Sequence, residues 1–307
     1  MAHGWRVLDA ASFEGSIGTR RGQLCFSKDD GAESFVPIAD VGVILLGLKT
    51  TVSVGALQYL AANDVSALTC DWRGVPTSGF YAWSDHTRVG ARHLAQARLT
   101  RPRAKNAWMR IIKAKVLGQA ATLRIVDELG AGHLEGIAND IRSGDPGNAE
   151  ALAARWYWRR LFAEHSFQRD QDGADGLNSM LNYGYGVLRG FGIRAVTGAG
   201  LSPALGIFHR NRSNFFNLVD DLIEPFRPAI DAAVVRAPRS VGLEGPEIKK
   251  LLVAAANQPF SQSGTGVVAE LEALAQRFGQ YAEGDIDRLP VTVWSDPDRG
   301  APDVDQW

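Results

Sequence analysis

Three acidic side chains interleave with an apolar helical pattern near residue 220, where their spacing could concentrate negative charge. Asp221 and Glu224 are three residues apart and Asp220 and Glu224 are four apart, so a helix would present each pair on one face. Two like charges about 4 Å apart cost about 4 kcal/mol at an effective dielectric near ~20, so a partly buried cluster requires a cation or a proton. A divalent metal ion would provide that compensation.

His209 precedes this acidic segment and offers a nitrogen ligand to the same ion. Arg210 and Arg212 follow it closely and would attract anions. The competing interpretation is a solvent-exposed acidic face, with Arg227 nearby, and a histidine that is hydrogen-bonded for structural reasons. The segment by itself does not decide between the two.

A third candidate acid begins a separate predicted helix. Asn148 is the predicted N-cap of that helix, which places Glu150 in the first turn. The helix dipole favours an acid there by roughly 0.3–1 kcal/mol, which explains Glu150 without any function. However, Glu150 shares a helix face with Ala154, Tyr157 and Leu161, which the pattern predicts to be buried.

Polar residues also occur inside a predicted buried helix, in the stretch NSMLNYGYGVL. Asn182 and Tyr185 lie among its apolar positions. Because buried amides and phenols need hydrogen-bond partners, they could support a charged site, and ordinary core hydrogen bonding explains them equally well.

Cations dominate the stretch 88–124, which contains ten Lys and Arg residues and no Asp or Glu. Apolar periodicity interrupted at Pro102 predicts two helices with the cations on their outer faces. Such a surface suits phosphate groups. The alternative is a solvated helix pair whose cations meet acids elsewhere, for example Asp127, Glu128 or Glu135.

The elements that position these residues divide into two predicted domains, giving an α+β fold. In residues 1–83, short apolar segments separated by glycines predict a small β-sandwich, with one helix at 53–63. Residues 74–85 are interpreted as a hinge. Residues 84–307 are predicted to form an all-α domain that ends in an acidic, proline-containing tail, extended or partly disordered.

Composition excludes several classes of protein. The chain has 307 residues, 45% of them hydrophobic, and a net charge of −1, so it can bury a large core and is not basic as a whole. Cys25 and Cys70 are the only cysteines, which excludes a disulfide scaffold. No signal peptide, membrane span, P-loop or nucleophile elbow is recognisable, and a cytoplasmic protein is expected.

Four motifs occur in one order: NAEALAARWYWRRLF, NSMLNYGYGVL, GLSPALGIFHRNRSN and FNLVDDLIEPFRP. Together they resemble the CRISPR-associated protein one family, the integrase-endonucleases of spacer acquisition, and in particular the version that accompanies type II systems. The resemblance spans nearly the whole chain and implies a β-rich N-terminal domain followed by a helical catalytic domain. It implies catalytic and metal-binding roles for Glu150, His209 and Glu224, with Asp221 as an additional acid, and supporting roles for Asn182 and Tyr185.

The resemblance also implies a reaction and its partners. A site holding Mg²⁺ or Mn²⁺ would promote attack of the 3′-hydroxyl of a captured double-stranded DNA fragment on a CRISPR repeat. The chain would form a homodimer through its β domain, with two dimers bridged by CRISPR-associated protein two. The cations expected to position DNA are Arg98, Arg101, Arg103, Lys105, Arg110, Lys113, Arg210 and Arg212.

Two other functions remain open at this stage. His209 and Arg212 form an H-x-x-R pattern upstream of Tyr281, which is compatible with a covalent, metal-independent tyrosine recombinase. A non-catalytic DNA-binding scaffold would need the carboxylates only as a polar face.

Overall fold

The computed structural model describes residues 6–71, 76–82, 86–163, 167–171, 173, 176–237, 246–256 and 258–298. The chain divides into two compact units, residues 1–85 and 86–307. The predicted domain boundary after residue 83 and the end of the acidic tail from residue 299 lie outside the described residues.

The first unit contains two four-stranded sheets. Its strands are β1 (Arg6–Ala10), β2 (Gly15–Arg20), β3 (Gln23–Ser27), β4 (Glu33–Val36), β5 (Val41–Leu46), β6 (Thr50–Val52), β7 (Ser66–Cys70) and β8 (Pro76–Phe80). One sheet has the order β1-β5-β7-β8, and the other has the order β4-β3-β2-β6. In the first sheet, β5 pairs in parallel with both β1 and β7. All six residues of β5 are buried, which suits the apolar sequence VGVILL to a central parallel strand.

The two sheets share one hydrophobic core. Ile44 and Leu46 of β5 lie in the same buried cluster as Ile17 and Leu24 of the other sheet. The predicted helix is present as α1 (Val54–Ala62), begun by the Ser53 hydroxyl, which accepts the Ala56 N–H at 3.1 Å. A β-sandwich at the N-terminal end is therefore confirmed.

Three strands of this unit were not predicted. The interpretation of residues 74–85 as a hinge is wrong for β8, which pairs antiparallel with β7 and completes the sheet. The sequence does not predict β2 or β6, because their residues, GSIGTR and TTV, are mostly glycine and polar residues and contain no apolar run. Gly15 is required where β2 begins, since its φ is +143° and a Cβ there would lie 2.3 Å from the Ser27 carbonyl oxygen.

In the second unit the regular elements of the described residues are helices, joined by turns and loops, apart from one bridge between Pro259 and Gly266. The helices are α2 (Val89–Ala97), α3 (Arg101–Leu123), α4 (Glu128–Asp140), α5 (Ala149–Leu161), α6 (Gly176–Gly198), α7 (Asn217–Leu222), α8 (Arg227–Arg236), α9 (Pro246–Ala255) and α10 (Val267–Glu283). The α+β class, with strands followed by helices, is confirmed.

Two long helices organise this unit. α3 packs against α4, α5, α8 and the 3₁₀ turn Glu224–Phe226, and α6 packs against α7, α8, α9 and α10. Close packing is possible because small residues lie at the contacts. A Cβ at Gly184 of α6 would lie 2.5 Å from the Ile230 side chain of α8. α8 therefore lies tightly against α6.

The cation-rich stretch forms two helices as predicted, but the helix break precedes Pro102, which lies in the first turn of α3. The prediction that all its cations face outward is wrong. Arg92 is 5% exposed and donates hydrogen bonds to the Ala199 carbonyl and to Glu283. Arg124 pairs with Glu128 and Glu135. These cations stabilise helix packing rather than provide a free basic face.

The described part of the acidic tail packs onto the helical unit. Leu289 and Trp294 are 0% and 1% exposed, and Asp296 forms an ion pair with Arg236 at 2.6 Å. The prediction of an extended or disordered tail is therefore wrong for residues 285–298, because two apolar side chains anchor them. Within the described ranges, no helix combines the length and apolar character needed to cross a bilayer.

Replacing Trp294 tests whether the tail belongs to the core. Trp294→Ala is expected to lower the free energy of unfolding by about 3–5 kcal/mol, because a large buried side chain is lost and a cavity is left. Urea unfolding measures the loss, and Arg288→Ala, an exposed neighbour, is the control. A loss below about 1 kcal/mol would place the tail outside the cooperative core.

Candidate active site

The acidic segment forms a shorter helix than its pattern predicts. α7 begins at Asn217, whereas the apolar spacing extends back to Phe215, which is 55% exposed. Phe216 is the residue before the helix, and Asn214, two residues earlier, accepts the Phe216 N–H with its side-chain oxygen at 3.0 Å. Leu218 and the following apolar residues are buried as predicted, which holds the acids against the core.

Asp221 is fully buried and holds the 206–209 loop in place. Its carboxylate accepts the N–H groups of Ile207 at 2.5 Å, Phe208 at 3.0 Å and His209 at 3.2 Å. One of its oxygens also lies 2.6 Å from Nδ1 of His209. Four contacts from one loop occupy this carboxylate, so its role in the structure is to orient the histidine.

His209 is therefore fixed through Nδ1, while its side chain remains 44% exposed. No described residue hydrogen-bonds its Nε2 atom, which leaves that nitrogen available to a ligand. The Asp221 hydrogen bond raises the pKa of His209, although partial burial opposes the shift.

Asp220 is occupied by a different partner. Both of its oxygens accept hydrogen bonds from Arg189, at 2.8 and 2.9 Å, and one also accepts from the Asn214 amide at 2.7 Å. This paired guanidinium and carboxylate join α6 to α7. Asp220 is thus a structural acid in the described arrangement.

Glu224 lies in the 3₁₀ turn after α7 and is 6% exposed. Arg227 donates to its Oε1 at 2.9 Å, and the Lys115 ammonium lies 2.7 Å from its Oε2. Burial alone would raise the pKa of Glu224, but Arg227 and Lys115 outweigh burial and lower it to about 2. The carboxylate is therefore ionised in the folded protein.

Glu150 meets the same ammonium from the opposite helix. Its Oε1 accepts from Lys115 at 2.7 Å, so the two carboxylates lie on either side of one cation. Burial would lower the pKa of Lys115, but Glu224 and Glu150 together raise it. The start of α5 is held by Asp145, which accepts the N–H groups of Ala149 and Glu150 at 2.8 and 3.0 Å. Asp145 provides the cap predicted for Asn148, whose own side chain makes no capping bond.

The donor atoms of this cluster suit a divalent ion. Glu224 Oε2 is buried, and its partner among the described residues is the Lys115 ammonium, at 2.7 Å. Two carboxylates and an imidazole nitrogen are ligands that Mg²⁺ and Mn²⁺ accept. In the described ranges, however, no three His, Cys, Asp or Glu side chains close around a single point. Lys115 occupies the position between the two carboxylates.

A second buried network contacts Arg227, the hydrogen-bond partner of Glu224. Asp231 is 1% exposed and accepts hydrogen bonds from Tyr157 at 2.8 Å and from Tyr185. The Tyr185 ring lies 4.5 Å from the Arg227 guanidinium, which in turn pairs with Glu224. Tyr185 therefore lies one contact away from the acidic cluster.

Asn182 lies elsewhere. It contacts Arg169 at 2.6 Å and the Gly173 carbonyl at 3.3 Å, so it fixes the segment that precedes α6.

Sequence reasoning missed Lys115 and Asp231. Lys115 was counted among outward-facing cations, yet it is three or four residues from Ile111, Ile112 and Gln119, which are all buried. A lysine on an apolar helix face was the available signal. Asp231 had no signal beyond being an acid in an apolar helix.

The other predicted cations fall into two groups. Arg103 donates to the carbonyl oxygens of Tyr281 and Ile286, the latter at 2.9 Å, and Arg110 donates to Asn106 at 3.2 Å. Lys113 is half-buried. The side chains that are exposed to solvent are Arg98, Arg101, Lys105, Arg210 and Arg212.

A groove of about 470 Å³ lies beside the 206–209 loop. Its lining includes Arg210 and Arg212, together with Gln96 and Asn214. It therefore combines cations with amide groups, which suits a phosphate-containing ligand.

Tyr281 does not lie at this site as an exposed nucleophile. It is 1% exposed, and its hydroxyl donates to the Arg103 carbonyl oxygen at 2.8 Å. This burial removes the structural support for a covalent tyrosine mechanism.

The pH dependence of stability tests the buried network. Burial raises the pKa of Asp231 from 3.8 to about 6, although hydrogen bonds from Tyr185 and Tyr157 oppose the shift. Between these two values the folded protein binds more protons than the unfolded chain, so the free energy of unfolding falls as pH rises from about 4 to about 6, by about 3 kcal/mol. Urea unfolding across this range should show Asp231→Asn with a shallower slope. The exposed Asp287→Asn is the control, and parallel curves for Asp231→Asn and the parent would contradict the expectation.

Comparisons with known proteins agree with this architecture. A family model described as CRISPR associated protein Cas1 matches residues 11–244. The CRISPR-associated endonuclease Cas1 of Neisseria meningitidis is 36% identical over 236 residues, which cover 75% of this chain and 75% of that protein.

Two solved structures share the fold. A casposase bound to integration product has a TM-score of 0.77 at 18% identity, covering 99% of this chain and 96% of that chain. A chain of a Cas6-RT-Cas1–Cas2 complex has a TM-score of 0.74 at 17% identity, covering 94% of this chain and 36% of that one. The family match extends over both structural units, and the chain belongs to the CRISPR-associated protein Cas1 family.

Proposed function

We propose that this protein is a divalent-metal-dependent DNA integrase and endonuclease that joins 3′-hydroxyl ends of captured DNA fragments to a CRISPR repeat. The reaction is a transesterification, in which one phosphodiester bond forms as another breaks. One observation carries the proposal: Glu150 and Glu224, from separate helices, each lie 2.7 Å from the same ammonium group, and Glu224 is close enough to His209 to help raise its pKa. Membership of the Cas1 family supports it.

Each residue of the cluster has a distinct task. Glu150, Glu224 and Nε2 of His209 would hold Mg²⁺ or Mn²⁺. When bound, such an ion orients the scissile phosphate and lowers the pKa of the attacking hydroxyl. Asp221 holds the Nδ1 proton of His209, which keeps the lone pair on Nε2. Arg227 keeps Glu224 ionised and in position.

The exposed cations provide the DNA-binding surface. Arg210 and Arg212 follow His209 directly and line the groove, so they can hold phosphates beside the reacting group. Arg98, Arg101 and Lys105 extend the positive surface along α2 and α3. Contacts of this kind position the duplex without reading its sequence.

The assembly proposed for this protein follows its relatives. A structural neighbour belongs to a Cas6-RT-Cas1–Cas2 complex, and another is bound to an integration product. We place this chain in a homodimer formed through its N-terminal unit, with two dimers bridged by Cas2. We place this complex in the cytoplasm.

Single substitutions at the cluster test the mechanism. Glu150→Ala, His209→Ala and Glu224→Ala should each abolish joining of a 3′-hydroxyl DNA end to a repeat-containing plasmid, because each removes a proposed ligand. DNA affinity should stay close to that of the parent, since the phosphate-binding cations remain. Gel assays of joining with Mn²⁺, Mg²⁺ or EDTA provide the measurement.

Asp220→Asn is the matched acid control for this experiment. It should lose stability, because Asp220 pairs with Arg189, and yet retain joining at temperatures where it is folded. Joining that persists in EDTA would refute metal dependence. Full activity in all three cluster variants would favour a non-catalytic scaffold.

Lys115 provides a separate test of the cation site. Lys115→Met should lower the free energy of unfolding by about 3 kcal/mol without metal, because the buried Glu224 carboxylate keeps only Arg227 as a cationic partner and Glu150 loses the ammonium with which it pairs. Mn²⁺ should restore more stability to this variant than to the parent, since the ion and the ammonium compete for one position. Thermal unfolding with and without Mn²⁺ measures this difference. Lys105→Met, an exposed lysine of the same helix, is the control, and equal Mn²⁺ effects in all three proteins would contradict the expectation.

A further inference from the structure

A flat, half-exposed ring lies directly beside the proposed catalytic histidine. Phe208 stacks on Trp108 with ring centroids 4.4 Å apart and planes inclined by 2°. Trp108 is 2% exposed, whereas Phe208 is 53% exposed. Because the indole covers one face of the phenyl ring, the exposed area belongs to its opposite face and its edge. An open aromatic face of this kind can accept a further ring in the same stack.

The position of this ring is fixed by the same contacts that fix His209. The Phe208 N–H donates to Asp221 at 3.0 Å, and the His209 ring packs edge-on against Phe208 at 5.5 Å, with planes at 84°. His209 is also edge-on to Trp108 at 5.7 Å. A planar group resting on Phe208 would therefore lie at a fixed distance from the imidazole.

The charges around Phe208 indicate the chemistry of its ligand. Arg210 and Arg212 follow on the same loop with exposed side chains, and no described residue forms an ion pair with either. An apolar protein partner would gain nothing from two unpaired guanidinium groups, whereas a nucleotide offers a flat base and a phosphate together. The combination of an aromatic face with neighbouring cations is how single-stranded nucleic acid is bound.

We propose that Phe208 is a stacking platform for the nucleobase adjoining the reacting phosphate. The proposal rests on the proposed function and adds a positioning residue to it. Stacking accepts any base, because every base has a π face, so the platform places the reacting nucleotide without selecting its sequence. Phe208 thereby holds the nucleotide while His209, its neighbour in sequence, holds the ion.

The test combines changes in the protein with changes in a branched DNA joint, the product of the joining reaction, in which the reacting phosphate has a known position. The measured reaction is resolution of this joint, which is the reverse of joining. An abasic nucleotide replaces, in turn, the nucleotide on each side of that phosphate. The proteins are the parent, Phe208→Leu, Phe208→Tyr and Phe215→Leu. Leucine keeps Trp108 covered but cannot stack, and Phe215 is a matched phenylalanine, 55% exposed, that packs edge-on to Phe216.

With the parent, an abasic nucleotide on one side should raise the KM of resolution about tenfold, within the range of base–aromatic stacking. Phe208→Leu should raise KM by a similar factor on intact DNA and show no further loss on the abasic substrate. Phe208→Tyr should restore sensitivity to the abasic nucleotide, and Phe215→Leu should keep it. The platform would be overturned if the parent enzyme resolved the joint equally well with either abasic nucleotide. It would also be overturned if the KM increases caused by Phe208→Leu and by the abasic nucleotide multiplied when the two changes were combined.

A binding measurement separates this inference from the proposed function. 2-Aminopurine at the sensitive position should be quenched when the parent binds the joint, and Phe208→Leu should leave it bright. Quenching without any metal-dependent joining would support the platform and refute the integrase. Metal-dependent joining with equal fluorescence in the parent and Phe208→Leu would refute the platform alone.

Discussion

The structure depends on one electrostatic constraint, the burial of the Glu224 carboxylate beside a second carboxylate, that of Glu150. Glu224 is ionised within a helical core because Lys115 and Arg227 lie next to it and outweigh the cost of burial, and the Lys115 ammonium also pairs with the partly exposed Glu150. Removing charges from water is expensive, and the cost is offset only when partners are held at short range. The helices α3, α5 and α8, with the 3₁₀ turn directly before α8, supply these groups from three separate parts of the sequence. The packing of those helices is thus a requirement of the site.

The three acids near residue 220 have different tasks because their surroundings differ. Asp220 faces Arg189 of α6 and ties two helices together. Asp221 turns toward the 206–209 loop and accepts three of its N–H groups, which orients both His209 and Phe208. Of the three acids, Glu224 faces Lys115, with its Oε2 atom 2.7 Å from the ammonium nitrogen. One short segment therefore provides a structural tie, an orienting group and a candidate ligand.

Support for this cluster extends into the core through aromatic rings. Asp231 anchors the hydroxyl of Tyr185, and the ring of Tyr185 lies against Arg227. A substitution at Asp231 or Tyr185 would therefore alter the position of Arg227, and through Arg227 that of Glu224. Burial raises the pKa of Asp231, so its ionised form lowers the stability of the fold, and the hydrogen bonds from Tyr185 and Tyr157 partly offset this cost.

The amino-acid sequence by itself determined the α+β class, the long helices and the motifs around Glu150, His209 and Glu224, because apolar periodicity and residue order are local properties of the chain. It misplaced β8, the described part of the tail and the inward-facing cations, since pairing and burial depend on distant partners. Lys115 looked like any surface lysine, and Asp220, Asp221 and Glu224 looked alike. Only the tertiary structure decided which acid faces which cation, because a charge acquires its role from the groups that are packed within a few ångströms of it.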